Sequence, residues 1–307
     1  MERQHPARDR TDETRNDGFR GRNGAVLGRR SYLGLAGGAL AALGVGTGAG
    51  ASATAAAETD SRMIDVDYDE YASPDEVYDV NDVRGSYTPE FVADRGTRNE
   101  RSLRTEFTGD SKIANCEYRL PDHVGDQQDE LYTRFTVYPE GFDLGADDTV
   151  RMFWAPLTNG GGSSGGGAAD GQNGWSNAIG FANRNDSPAP EGYKFFSYAY
   201  HMDGSGDFQM TDAVVEMDAW NEIECHIVTN SYDGGTAEAD GTMRYWVNGD
   251  LAFEDTSMRF TASDDNRIEA VGPLGYIVGS GGGALYYGEH QLGLEVDREE
   301  ARRELGL

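Results

Sequence analysis

Lysine is almost missing from this 307-residue chain. Only Lys112 and Lys194 occur, arginine supplies the other basic side chains, and 54 acidic residues against 26 basic ones leave a formal net charge of −28. No basic stripe exists to meet phosphates, so nucleic acid is not expected as a partner. Acidic text in which arginine replaces lysine points to work in concentrated salt. Cysteine is as scarce, with only Cys116 and Cys225. No cysteine–histidine spacing suggests a zinc site. A bridge in an exported protein and two buried thiols both remain open.

Long apolar runs are missing too. The nearest approach is GRRSYLGLAGGALAALGVGTGAGASATAAAE, too short and too rich in glycine for a spanning helix. Arg29 and Arg30 before Ser31, Tyr32 and Leu33, then small residues near Ala53–Ala57, are the pattern of a twin-arginine export signal with its cleavage site. Residues 1–57 are therefore expected to be a leader. The mature protein is expected to be secreted or at the cell surface, free of the membrane once the leader is removed. The leader has no lipobox cysteine, so a lipid anchor is not expected.

Helical periodicity is nearly absent beyond the leader. Residues 58–100 read as an acidic tether with one possible edge strand, and 296–307 as a short tail able to form one helix. Between them, residues 101–295 show short alternating segments separated by Gly, Asp and Asn. Candidate strands are 103–107, 115–120, 131–138, 150–154, 177–182, 195–201, 222–229, 242–247, 251–254, 268–271, 275–278 and 289–294. Many short strands with turn residues predict a two-sheet sandwich, and Asn248-Gly249 predicts a tight hairpin. In 222–229, Ile223, Cys225 and Ile227 share one face and should bury, each apolar side chain contributing roughly 1.5–3 kcal/mol. Glu222, Glu224 and His226 share the other, which makes His226 a surface histidine. The glycine-rich run 159–174 reads either as a disordered insertion or as a mobile flap over a cleft.

The chain has no Ser-His-Asp order, no nucleophile elbow joining a strand to a helix, no P-loop and no HExxH. What remains is KFFSYAYHMDGSGDF. On a strand it puts Lys194, Phe196, Tyr198 and Tyr200 on one face and Phe195, Ser197, Ala199 and His201 on the other. Other strands offer Tyr132 with Arg134, Arg151 with Phe153, and Ser176 with Asn177. Aromatic faces stack on sugar rings, and guanidinium forks grip carboxylates. An acidic polysaccharide suits such a surface. No cofactor is expected, and no metal is assigned, although Asp-rich loops offer the oxygens that calcium prefers.

The pieces SLRTEF, DELYTRFTVYPEGFD, VRMFWAPLTNGG, NGWSNAIGF, SYAYHMD, WNEIECHIVTN, DGTMRYWVNGDLAFEDTSMRF and ALYYGEHQLGL, spread over about 102–294, resemble in order and spacing the polysaccharide lyases of families fourteen and twenty. These are alginate and glucuronan lyases. With the leader and the charge, the chain looks like an exported member of haloarchaeal type. The resemblance implies an all-β, concanavalin A-like β-jelly-roll sandwich of two antiparallel sheets and cleavage of a uronate-containing polysaccharide by β-elimination. It puts Tyr198 and Tyr200 on the family's Tyr-x-Tyr pair and Ser176 on a serine that follows Gly-Trp. Arg151 stands where the family carries lysine, Ala178 where it carries arginine, and Glu289-His290 where it carries Asp-Asp.

The likeness and the strand faces together give an expected catalytic set of Tyr200, Tyr198, Arg151 and His201, with Ser176, Asn177, Arg134, Tyr132 and Lys194 expected to bind substrate. Arg151, assisted by Asn177 or Arg134, would stabilise the enolate-like charge. Tyr200 would serve as general base or acid, and as a base it needs nearby positive charge to lower its pKa from about 10. Lys194 lies four to six strand residues from the pair, roughly 13–20 Å. His201 needs a bulge or strand end to join it. Two other readings stay open: a non-catalytic, lectin-like jelly roll, and a jelly-roll glycoside hydrolase. The latter needs two carboxylates about 5–10 Å apart, a pair that Glu216 and Glu224 do not recognisably form.

Overall fold

The structure is a computed structural model that describes residues 62–84, 88–97, 100–107, 113–158, 169–184, 191–279 and 281–307. The expected leader, and residues 159–168 of the glycine-rich run, lie outside them. In chain order the strands are β1 (Met63–Asp65), β2 (Asp79–Arg84), β3 (Glu90–Val92), β4 (Ser102–Phe107), β5 (Ile113–Arg119), β6 (Glu130–Glu140), β7 (Thr149–Leu157), β8 (Ser176–Ala182), β9 (Gly192–His201), β10 (Gly204–Glu216), β11 (Asn221–Val228), β12 (Tyr232–Asp233), β13 (Thr236–Ala237), β14 (Gly241–Val247), β15 (Asp250–Met258), β16 (Ala270–Val278) and β17 (Gly283–Leu294). Among the described residues there are also two short α-helices, α1 (Leu120–His123) and α2 (Arg298–Leu305), and 3-10 turns at Tyr68–Glu70, Pro74–Glu76 and Asp264–Asn266.

A back sheet runs β15-β14-β11-β6-β17-β4-β3, with β1 added on β17, and a front sheet runs β10-β9-β8-β7-β16-β5-β2. Neighbouring strands are antiparallel throughout, and the two sheets form a β-jelly-roll sandwich. Alternation explains why they stack. On β11, Ile223, Cys225 and Ile227 turn inward and are buried, as do Phe195, Ser197 and Ala199 on β9. Phe135 of the back sheet stacks on Phe153 of the front sheet at 3.9 Å between ring centroids, and this aromatic contact marks the middle of the core. The hairpin joining β14 to β15 has Asn248 at φ 52° and Gly249 at φ 88°, the doubly positive geometry that a two-residue hairpin turn demands.

Three local expectations change. The acidic segment read as a tether supplies β1, β2 and β3, strands of both sheets. β10 escapes notice in the sequence because its text is polar. It is an edge strand paired only with β9 and bulged twice, a position where polar residues are tolerated. β16 is one strand rather than two. Gly272 lets it bend without stopping: a Cβ there would lie 2.1 Å from the Cys116 carbonyl oxygen.

The outer face of β11 is not the solvated surface expected. Helix α2, capped by Asp297 at its start and by Gly306 in the left-handed region at its end, packs Ala301 over Tyr132 and Val296. Beneath it Glu224 is fully buried and accepts from Tyr132 Oη at 2.8 Å, Arg298 at 2.7 and 2.9 Å, and Arg302 at 2.8 Å. Burial pushes the carboxyl's pKa up, but the bonds from Arg298 and Tyr132 outweigh it and hold the group below the usual carboxylate range. His226 is likewise buried, its Nε2 2.8 Å from Glu130 Oε1, because Tyr132 and Arg244 flank it in register. Replacing Glu224 with Gln leaves two guanidinium groups undercompensated. We expect a loss of about 2–3 kcal/mol in unfolding free energy, read by chemical denaturation. Unchanged stability would mean that α2 is not clamped through this carboxylate.

Cys116 on β5 and Cys225 on β11 are both buried and unbridged. Burial pushes both thiols well above their ordinary pKa.

Candidate active site

β9 carries the site because its two faces differ. The inner face is small or apolar and enters the core, which leaves Lys194, Phe196, Tyr198 and Tyr200 on the outer face of the front sheet. Register then fixes their neighbours. Tyr200 lies opposite Ser176 of β8, and Tyr198 opposite Ala178, which in turn lies opposite Trp154 of β7. Phe196 lies opposite Gly180, itself opposite Arg151, which pairs with Tyr276 of β16. A Cβ on Gly180 would lie 1.9 Å from the Val150 carbonyl oxygen, so only glycine admits β7 this closely.

Tyr198 and Tyr200 are half-buried, and their hydroxyls meet at 2.7 Å. The Arg151 guanidinium lies 4.4 Å from the Tyr198 ring centroid and 4.8 Å from that of Tyr276. A cation held between two aromatic faces is attracted to both. Gly206, in the bulge of β10 at φ 72°, faces the Tyr198 hydroxyl: a Cβ there would lie 2.7 Å from it. Burial, then the hydrogen bond with Tyr198, push the Tyr200 pKa above its ordinary value of 10.0, and Arg151 opposes this only in part. The expectation that a nearby cation lowers it overall is therefore corrected. At neutral pH Tyr200 is a neutral phenol.

The remaining expected residues divide. Ser176 does lie beside Tyr200, 1% exposed, with an Oγ that has no hydrogen-bond partner. Trp154, on the same face, has a buried Nε1 without a partner and packs with Ala178 and Leu274. Lys194 shares the face but donates to Asp212 at 2.9 Å, far along the strand.

Asn177 turns inward and is fully buried. Its Nδ2 donates to Ser197 Oγ at 3.0 Å and to Tyr245 Oη, and its Oδ1 accepts from the Tyr198 N–H at 3.3 Å. It holds the tyrosine strand in place from below rather than meeting a ligand. His201 also follows regular alternation and points away from the pair, 6% exposed. Its Nδ1 accepts from the Asp203 N–H at 3.3 Å, and its Nε2 lies 3.9 Å from Asp207 Oδ2. Burial lowers its pKa, and Asp207, Asp203 and Asp255 offset this in part.

Tyr132 and Arg134 are on the other sheet. Arg134 donates to Glu222, Glu289 and Gln291 within 2.5–2.9 Å, and Tyr132 lies under α2. Neither reaches the tyrosines. Phe153 belongs to the core because β7 bulges between Arg151 and Phe153, which puts residues two apart on opposite faces.

Sequence reasoning passed over four residues of this face: Trp154, Tyr276, Phe208 and Arg184. Phe208 is opposite Tyr198 on the unrecognised β10, with ring centroids 6.0 Å apart, and stacks on Phe196 at 4.6 Å. Arg184 follows β8, and its guanidinium lies 4.0 Å from the Phe208 centroid. Alternation through Leu274 and Tyr276 was the only sequence signal for Tyr276. A cavity of about 180 Å³ lies on the opposite side of β9, lined by Ser197, Ala199, Asp207 and Asp255 among others. It has no part in the tyrosine face. Among the described residues, no three His, Cys, Asp or Glu side chains gather to hold a metal ion, and no helix is long and apolar enough to cross a membrane.

No protein-family model matches this chain, and no curated protein does. Solved structures do. A marine PL-14 alginate lyase from Aplysia kurodai is 13% identical with a TM-score of 0.55, over 76% of this chain and 98% of that one. The alginate lyase vAL-1 from Chlorella virus is 16% identical with a TM-score of 0.54, over 75% and 98%. At these identities the likeness is one of architecture: this chain folds as the β-jelly-roll sandwich of those two alginate lyases.

Proposed function

We propose that the chain is a polysaccharide lyase that cleaves a uronate-containing polysaccharide by β-elimination, exported by the twin-arginine route to act outside the cell. One observation carries the reading. In a chain with 54 acidic residues, Arg151 has no carboxylate partner among the described residues and is held instead between Tyr198 and Tyr276, beside two touching phenols. A guanidinium kept from the protein's own carboxylates is available to a ligand's.

In the reaction the C5–H bond breaks and its electron pair forms the C4–C5 double bond. The C4–O bond breaks, its pair stays on the glycosidic oxygen, and that oxygen takes a proton. Arg151 would pair with the uronate carboxylate as charge spreads onto it from C5. The tyrosine pair would take the C5 proton and supply one to the leaving oxygen. Ser176 Oγ and Trp154 Nε1 are spare donors for sugar oxygens. The net charge of −28 opposes a polyanion in dilute buffer, but at molar salt the Debye length is about 3 Å and only the local cations act.

A binding-only role is favoured by the raised pKa of Tyr200, which disfavours the basic form. One experiment separates the readings: incubation with a panel of polyuronates in concentrated salt, followed by ultraviolet absorbance and reducing-end assays. Absorbance from the new double bond is the expected result. Reducing ends without absorbance would replace the lyase by a hydrolase, and binding with neither would leave a lectin.

A further inference from the structure

Among the described residues, most arginines are spent on carboxylates. Among those whose side chains are described, Arg62, Arg95, Arg101, Arg104, Arg119, Arg134, Arg244, Arg259, Arg267, Arg298 and Arg302 have an acidic partner within 4.0 Å. Arg151, Arg184 and Arg303 have none among the described residues. Arg303 is exposed on α2. The other two lie on the same face of the front sheet, each stacked on an aromatic ring.

Arg184 repeats the arrangement of Arg151. Its guanidinium carbon lies 4.0 Å from the Phe208 centroid, and its Nε is buried without a partner. Phe208 is itself fixed by Phe196 behind it and Tyr198 beside it. The steps of 4.0, 6.0 and 4.4 Å from Arg184 through Phe208 and Tyr198 to Arg151 put the two guanidinium carbons less than about 15 Å apart. A stacked guanidinium keeps its edge free, and its planar fork suits a carboxylate better than an ammonium does.

We infer that Arg184 on Phe208 is a second carboxylate-binding subsite, so that the ligand is a polymer acidic on more than one of the sugars crossing the sheet. The inference rests on the reading of this face as an anionic-sugar site, but it concerns binding and does not require turnover.

The test is calorimetric titration in concentrated salt of the wild type, R184Q and R184K with an acidic oligouronate and with the same oligomer carboxyl-reduced to neutral. R184Q is expected to weaken the acidic ligand about ten- to a hundredfold and to leave the neutral one unchanged, with R184K recovering part of the loss. Equal losses for both ligands, no loss, or no binding of the acidic oligomer to the wild type would overturn it. Absence of lyase turnover with the R184Q effect intact would sink the elimination reading alone, and an unshifted melting temperature in R184Q separates recognition from folding.

Discussion

Replacing Tyr200 with phenylalanine is expected to lower kcat/KM on a polyuronate by about 10²–10⁴-fold, the usual contribution of a positioned acid or base. The ring stays, so its packing against Tyr198 stays, and the melting temperature should not move. Replacing Arg151 with alanine should cost a similar factor, because charge that develops next to the C5 carbon loses its counterion.

The pH profile gives the sign. The Tyr200 hydroxyl is pushed above its ordinary value by burial first and by Tyr198 next, with Arg151 pulling the other way. A base must be ionised to act, so kcat/KM should climb about tenfold per pH unit from neutral through pH 9 if the pair removes the proton. R151A should push the limb further alkaline. A Y200F enzyme within tenfold of wild type, or activity falling between pH 7 and 9, would remove Tyr200 from the chemistry.

Between pH 6.5 and 4.5 two buried groups act on stability in opposite directions, and His123 and His201, whose pKa values burial also lowers, add to the loss on acidification. His290 is fully buried, Nδ1 at 2.9 Å from Tyr78 Oη, and Tyr78 is linked on to Tyr68 at 3.2 Å. Burial lowers its pKa from 6.5 to about 3. The folded state refuses a proton that the unfolded state accepts, so stability is complete above pH 6.5 and is lost as pH falls toward 3, about 1.4 kcal/mol per unit and about 5 kcal/mol in all.

Glu117 does the reverse. Burial first, then Asp79 and Glu269 against the opposing bond from Asn81 and the charge of Arg119, raise its pKa from 4.5 to about 7. The fold keeps its proton, so stability is lost as pH rises from 4.5 through 7, about 3 kcal/mol in all. Denaturant unfolding at fixed salt would separate them. E117Q should gain about 3 kcal/mol at pH 8 and then lose stability steadily below pH 6.5. H290L should instead gain stability relative to the wild type as pH falls from 6.5 to 4.5, because the loss assigned to His290 is gone. Parallel pH curves for the wild type and both variants would refute the assignment.

Much of the front-sheet site was legible. Period-two alternation put Tyr198 and Tyr200 on one face and Ser197 and Ala199 on the other, and the structure keeps that division. The resemblance supplied Arg151 as their companion, and the two half-buried phenols do lie beside its guanidinium. Alternation misled at Phe153, where a bulge in β7 reverses the faces. It was silent about β10, whose polar text reflects an edge position, and so Phe208 and the arginine stacked on it went unnoticed. Residues 222–228 were divided correctly into inner and outer sets. Their outer set was then misjudged, because twelve residues at the C-terminus, assigned no role, return to cover it.

Composition and local pattern alone determined that this chain is a sandwich of short strands, that it carries a strong negative charge, and which side chains on a given strand share a face. All of these are properties of neighbours in the chain. Only the tertiary structure decided that Arg134 and Tyr132 belong to one sheet and Arg151 and Tyr200 to the other, that Glu224 is sealed under a helix, and that Arg184 reaches Phe208. Alternation specifies a side without specifying which strand lies next, and that choice is made by hydrogen-bond register and core packing between segments distant in sequence.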